Sequence, residues 1–321
     1  MRIAVIGATG QIGTRLVASG LQAGHEVVGI SRHRPTTTSA DWRSVDAEDP
    51  EALTVALRGA DAVVTTLGLR YDIATWRDRW VPLTRSVVDA ARGAGTALLW
   101  LDNCYPYGLP GTPITEQTPI APRSRMGAVR AEVHEVLRSA AEQLPITVAR
   151  AADFLGPGVE TTLVPWSSLV RASRPGPRRT RLPWIGDPDT SHQYASADEV
   201  SRALLTLAEH DPDGPGALTT WILPALAPVT GRDLCTVLAR LCGHAVTALV
   251  LPQTLLRVVG GVSPLVRASN DMAYLSRHDF LVDDTRFRTA FDWGPVGTVA
   301  ELLADLRGVP AQIGQDPTPA G

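Results

Sequence analysis

Short apolar runs alternate with amphipathic stretches along the first half of the chain. IAVIG (3–7) reads as a buried strand and residues 11–23 as a helix. EVVGIS (26–31) predicts a second strand, 50–58 a short helix, and DAVVTTLG (61–68) another strand. A helix is expected over 80–94, a strand over 97–103, a long helix over 126–143, and a strand over 146–154. Strands separated by helices predict parallel βαβ wrapping. Their near-continuous apolar character fits burial on both faces. Beyond Gly156-Pro157-Gly158 the texture changes. Residues 171–189, rich in Pro, Gly and Arg, predict an irregular loop. Residues 196–210 set Val200, Ala203, Leu204 and Leu207 on one stripe and predict a helix. TTWILP (219–224) fits one more strand, and 230–241 and 299–306 fit helices of a smaller lobe.

Composition narrows the class. At 321 residues, 44% hydrophobic and 20% charged, the chain is an ordinary globular protein with room for one large domain or two modest ones. A net charge of −3 argues against a nucleic-acid or membrane partner. Cys104, Cys235 and Cys242 lack metal-ligand spacing and read as reduced thiols of a cytoplasmic protein without a metal. No signal peptide is expected, since Met1 leads directly into the first strand. The apolar stretch 245–266 is interrupted by Gln253, Arg257, Gly260, Gly261 and Pro264, so it is not expected to span a bilayer. All 30 basic residues are arginine; the chain has no lysine.

The turn after the first strand reads Gly7-Ala8-Thr9-Gly10-Gln11-Ile12-Gly13. Glycines at this spacing, between a strand and a helix, let the backbone approach a pyrophosphate at the helix N-terminus. Gly7, Thr9, Gly10, Gln11, Ile12 and Gly13 are therefore candidate dinucleotide contacts. The second strand ends in Ser31-Arg32-His33-Arg34, where an NAD site carries an acid for the ribose hydroxyl. Arg32 and Arg34 suit a 2′-phosphate instead, so NADPH/NADP⁺ is the expected cofactor. Ser31 and Asp46 join the candidates, Asp46 as acceptor for the adenine amine. The expected fold is α/β: a Rossmann-type doubly wound parallel sheet over 1–157, completed by about 191–224. A C-terminal substrate lobe (158–190 and 225–306) and a frayed tail (308–321) follow.

These pieces together resemble the extended short-chain dehydrogenase/reductases, the NAD-dependent epimerase/dehydratase group. The matching features are the glycine fingerprint, Asp61-Ala62-Val63-Val64 with Leu67-Gly68, and Tyr107-Gly108 followed by Thr115-Glu116, Pro119 and Pro122. Arg150, Gly156-Pro157-Gly158 and Tyr194-Ala195-Ser196-Ala197-Asp198-Glu199-Val200 complete them. The resemblance implies cofactor contacts at Leu67 and Gly68 and a dimer through the helices near 80–94 and 126–143. It also implies a Ser/Thr, a proton-donating Tyr, and a Lys four residues further that binds ribose and lowers the Tyr pKa. Those positions fall on Asn103, Met126 and Arg130, so the usual relay is replaced.

The replacement has several candidates. Asn103 can polarise a carbonyl, with a turn asparagine as its structural alternative. Tyr105 is a possible acid. Arg130 can bind ribose hydroxyls or face Glu116 or Glu132 as a surface cation. Asp153 and Phe154 are expected near the nicotinamide, with Phe154 a wall of the site or a core residue. Met126, Phe154, Trp166, Trp184 and His192 are candidate walls of the substrate pocket, with the apolar stretch 251–266. Arg171, Arg174, Arg178, Arg179 and Arg181 are a solvated loop or a lid over an anionic substrate. The leading expectation is an NADPH-dependent ketoreductase for a bulky, aromatic polyketide-type ketone, the proton coming from another residue or a substrate phenol, in likeness to atypical ketoreductases of angucyclinone tailoring. A non-catalytic NADP(H) sensor and a non-redox cyclase or isomerase stand as alternatives.

Overall fold

The computed structural model describes residues 1–36, 39–174, 179–210, 216 and 218–304. The expected frayed tail and Arg178 lie outside them. In chain order the elements are β1 (Arg2–Ile6), α1 (Gln11–Gln22), β2 (Glu26–Ser31), β3 (Asp41–Ser44), α2 (Pro50–Leu57), β4 (Ala62–Thr65), α3 (Ile73–Ala94), β5 (Leu98–Asn103), α4 (Arg125–Ala140) and β6 (Ile146–Ala151). Then come β7 (Asp153–Leu155), α5 (Trp166–Ser173), β8 (Arg179–Trp184), β9 (Ser191–His192), β10 (Tyr194–Ser196), α6 (Ala197–Glu209), β11 (Leu218–Ile222) and β12 (Val229–Thr230). The chain continues with α7 (Gly231–Cys242), β13 (Ala245–Val250), α8 (Gln253–Val262), α9 (Pro264–Met272), α10 (Thr285–Ala290) and α11 (Val299–Ala304).

Seven strands form one parallel sheet in the order β11-β6-β5-β4-β1-β2-β3. This is the doubly wound Rossmann order with one strand added at the β6 edge. Helix α1 packs on α6, and α3 packs on α2 and α4, which gives the two covering layers. The strands are apolar because both faces are covered: β4 is buried at every position. The order reverses between β1 and β4, and their C-terminal ends open the crevice where ligands bind in such sheets.

Three elements depart from the sequence expectation. Helix α3 starts at Ile73, not 80, because the Asp72 carboxylate caps it by accepting the Thr75 N–H at 2.9 Å. Pro82, which reads as a first-turn residue, lies inside the helix. The strand expected over 146–154 splits at Ala152: β6 belongs to the main sheet, while β7 pairs with β10. The stretch 171–189 is not an irregular loop throughout, since Arg179–Trp184 forms β8, paired in parallel with β13. Leu182 and Trp184 are buried there and alternate with exposed Arg181 and Pro183, a period of two masked by the composition. Buried apolar side chains fall into two clusters. The larger spans the sheet and its helices, and the smaller holds Leu155, Trp166, Leu182, Trp184, Leu234, Val246 and Leu303 among others.

Candidate active site

The phosphate loop is built by close packing. Gly7 adopts a φ of +84°, and a Cβ there would lie 2.9 Å from the backbone carbonyl of Thr66. A Cβ on Gly13 would meet the Gly7 carbonyl oxygen at 2.3 Å, so only glycine lets α1 start this near the turn. Gly10 caps α1 without a side-chain hydrogen bond, and the first turn of α1 has no acidic residue. Thr9, Gly10 and Gln11 are exposed at this positive helix end. Ile12 instead buries its side chain in the main core. Arg15 ties α1 to α6 through Asp198 at 2.6 Å and to the Pro157 carbonyl at 3.0 Å. At the end of β2, Ser31 donates to the His33 carbonyl at 2.6 Å, while Arg32 and Arg34 are exposed. Asp46 is exposed and accepts the Glu48 N–H at 3.1 Å.

Two cavities meet beyond this loop, of about 230 and 220 Å³, and share Tyr71, Tyr105 and Thr161. The second is lined by Leu67, Gly68, Trp76, Trp80, Asn103 and Arg130. The first takes in Asp153, Leu163, His192, Leu251, Leu265 and Leu275. Tyr105 lies on a single 3-10 turn after β5, which Asn103 holds by accepting the Tyr105 N–H at 3.0 Å on its side-chain oxygen. The Tyr105 hydroxyl donates to Asp153 Oδ1 at 3.4 Å, and Asp153 Oδ2 meets His192 Nε2 at 3.0 Å. His192 is itself packed between the rings of Tyr194 and Phe280, each centroid 4.8 Å away. Burial pushes the Tyr105 phenol well above its usual pKa, and the Asp153 carboxylate pushes it the same way. Burial raises Tyr71 as well. Tyr105 therefore holds its proton throughout the neutral range.

Beneath the second cavity lies a buried charge cluster. Arg130 Nη2 meets Asp102 Oδ1 at 2.7 Å, and Arg150 Nη2 stands 3.8 Å from Asp102 Oδ2. The Arg130 guanidinium is 4.1 Å from the Trp80 ring centroid, and that of Arg150 is 4.7 Å from the Tyr107 centroid. Arg150 Nη2 also reaches His134 Nδ1 at 3.1 Å. A guanidinium only donates, so Nδ1 accepts and the imidazole is neutral. Burial, then the charge of Arg150, lowers the His134 pKa. Two buried cations thus face one buried carboxylate. Burial lowers the Arg130 pKa, with Asp102 opposing. Arg130 Nε and Nη1 have no protein partner although both are buried. Buried donors are ordinarily satisfied, so these two suit the hydroxyls of a ligand in the cavity that Arg130 lines.

Several expected site residues stand elsewhere. Met126 is no wall of the pocket: its side chain is in the main core, and its N–H donates to Asp271 Oδ2 at 3.1 Å. Trp166 and Trp184 belong to the smaller core and line neither cavity. Phe154 is half-buried against the main core, also outside both linings. Arg130 is not a surface cation. Tyr71 and Thr161, at the junction of the cavities, carried no motif in the sequence, and the Tyr105–Asp153–His192 chain joins residues from three separate segments.

The sheet order and the glycine turn define a Rossmann-type α/β chain. A family model described as the NAD dependent epimerase/dehydratase family matches residues 3–218, and the chain belongs to that family. An epimerase family protein of Mycobacterium bovis is 26% identical over 273 residues, 81% of this chain and 84% of its own length. An uncharacterized protein of Mycobacterium tuberculosis is 52% identical over only 65 residues, so the match spans 20% of this chain and 8% of that relative. Among solved structures, a UDP-glucuronic acid 4-epimerase from Bacillus cereus, in complex with UDP-glucuronic acid and NAD, superposes with a TM-score of 0.74 at 16% identity, covering 96% of this chain and 98% of that one. A dTDP-glucose 4,6-dehydratase from Streptomyces venezuelae with NAD bound gives 0.72 at 20% identity, covering 96% of each chain. These likenesses show the fold.

Proposed function

We propose that the chain is an NADP(H)-dependent ketoreductase in which Tyr105, rather than a tyrosine at position 126, gives the proton to the substrate oxygen. The observation that carries this reading is the Tyr105–Asp153–His192 chain at the junction of two adjoining cavities. The residues fit a dinucleotide: Gly7, Thr9, Gly10, Gln11 and Gly13 suit the pyrophosphate at the start of α1, Arg130 Nε and Nη1 suit the nicotinamide ribose hydroxyls, and Asp46 suits the adenine amine. Solved relatives carry NAD. In this chain arginines replace the acid at the end of β2, which favours the 2′-phosphate form. When bound, the nicotinamide supplies the hydride.

The ketone lies in the larger cavity with its oxygen toward Tyr105. With hydride supplied to the carbonyl carbon, the C=O π pair would move to oxygen, and that oxygen would take the Tyr105 proton as the alcohol forms. The phenolate left behind is disfavoured beside Asp153 and takes a proton back from solvent reaching the cavity, while the Asp153–His192 pair holds the hydroxyl in place. A raised phenol pKa keeps the donor protonated. An aromatic polyketide substrate is left with less support, because Trp166 and Trp184 are core residues and, of the apolar stretch 251–266, Leu251 and Leu265 line the cavity. A substrate phenol is also unnecessary with Tyr105 in place.

The test is NADPH oxidation over a panel of ketones by the wild type and Tyr105→Phe. A general acid contributes about 10²–10⁴-fold, so turnover falls by at least about 100-fold while NADPH affinity is kept. Undiminished turnover in the variant refutes the assignment.

A further inference from the structure

Of the large hydrophobic side chains left exposed among the described residues, all but Met1 and Val55 fall between Leu249 and Leu265. Val258, Val262 and Leu265 are 75%, 87% and 55% exposed. On α8, Leu255, Val258, Val259 and Val262 follow the i, i+3, i+4, i+7 spacing of one helix face, while Leu256 and Gly260 are buried behind it. Helix α9 crosses α8 at Gly260, where a Cβ would lie 3.3 Å from Arg267 Cα. This close crossing fixes the pair with its apolar face outward. At the end of β13, Leu249 and Val250 are exposed as well.

Arginine predominates along this stretch, although Asp271 near the end of α9 pairs with Arg125 and Asp72 lies within electrostatic reach of Arg267. Residues 245–270 contain Arg257 and Arg267, both exposed, and no Asp or Glu. Strand β8, paired with β13, adds exposed Arg179 and Arg181. The overall charge of −3 conceals this local excess. A helix with an apolar outer face and arginine on its remaining surface is the pattern of an element lying in the headgroup region of an anionic bilayer. Among the described residues no helix is long and apolar enough to cross a membrane. The face also continues into the site: Leu251 and Leu265 line the cavity that holds Tyr105. Glu160, on the same cavity, is engaged with Ser167 at 3.0 and 2.7 Å.

We propose that the α8–α9 face docks on an anionic membrane surface, which places the mouth of the larger cavity at the bilayer. This departs from the expectation of no membrane partner, which rested on net charge and on the absence of a span. The docking does not depend on the reductase reading and is measured without turnover. The full chain is sedimented with vesicles of phosphatidylcholine, alone or mixed with phosphatidylglycerol. The expected result is cosedimentation with the mixed vesicles, weakening as salt is added. Val258→Asp/Val262→Asp is expected to stay in the supernatant with its circular-dichroism melt and NADPH affinity unchanged, and Arg257→Glu/Arg267→Glu to bind at least tenfold more weakly. No cosedimentation, equal binding to both vesicle types, or full binding by the valine variant overturns the proposal. So does a wild-type dimer that the valine variant converts to monomer, which would give this face to a second copy.

Discussion

Arg130 stands where the resemblance places a lysine, and its planar guanidinium does what an ammonium does not. It lies over Trp80, pairs with Asp102, and keeps two donors free. The same cluster makes His134 a pH-sensitive support. Its folded pKa is depressed, so below the unfolded value of about 6.5 the unfolded chain binds a proton that the fold refuses. Stability is therefore expected to fall as the pH drops through this range and to level off below the folded pKa. Urea unfolding at about pH 7.5 and 5.5 checks this. His134→Gln, which keeps an acceptor for Arg150, is expected to flatten part of the slope; an unchanged slope assigns it to other groups. With a 2′-phosphate held at the end of β2 as proposed, Arg32→Ala is expected to raise the KM for NADPH at least tenfold, about 1.4 kcal/mol, and to leave NADH nearly unaffected. Equal effects on both count against the 2′-phosphate. Tyr105 and Arg130 were legible as candidates because they follow from a motif and an offset. Asp153 as the partner of Tyr105 was not, since a carboxylate's neighbours across the sheet are not encoded in local spacing.

At the scale of elements, the β1–α1 unit is the most constrained part of the site. Gly13→Ala puts a methyl against the Gly7 carbonyl and the Thr66 hydroxyl, at 2.3 and 2.7 Å before relaxation. Helix α1 must shift, and its N-terminus leaves the phosphate position. NADPH affinity is expected to fall by at least tenfold, about 1.4 kcal/mol, by calorimetric titration. Unchanged affinity would mean that the turn relaxes without cost. Strands β1, β2, β4 and β5 were readable because each is a short apolar run bounded by turn residues. Helix α3 begins at Ile73 rather than 80 because the Asp72 carboxylate caps it there. Strand β8 was missed because arginine and proline on its exposed face outweighed the buried Leu182 and Trp184.

For the whole molecule, buried side chains divide into two clusters, and both reach the larger cavity, through Met272 and Leu275 of the first and Leu163 at the edge of the second. Trp184 belongs to the smaller cluster and packs on Gly231, where a Cβ would approach the ring at 2.6 Å. Trp184→Ala removes a buried indole and is expected to cost about 3–5 kcal/mol. The loss should appear as faster proteolysis after Leu155 and lost ketone turnover, with NADPH titrating as in the wild type. A parallel loss of nucleotide binding would show that the two clusters stabilise one another as a single unit.

The sequence by itself determined the sheet class, the strand-to-helix glycine turn, the arginines at the end of β2, and the absence of any lysine. Each is written in local spacing or in residue identity, which backbone geometry and side-chain chemistry translate directly. Tertiary structure alone decided that Met126, Trp166 and Trp184 are core, that Arg130 is buried on Asp102, and that Tyr105 meets Asp153 and His192. It also decided that the apolar residues of α8 face outward. Those outcomes depend on which segments the fold brings together and which face each helix turns to its neighbours, and one side chain's burial is fixed by all the others at once.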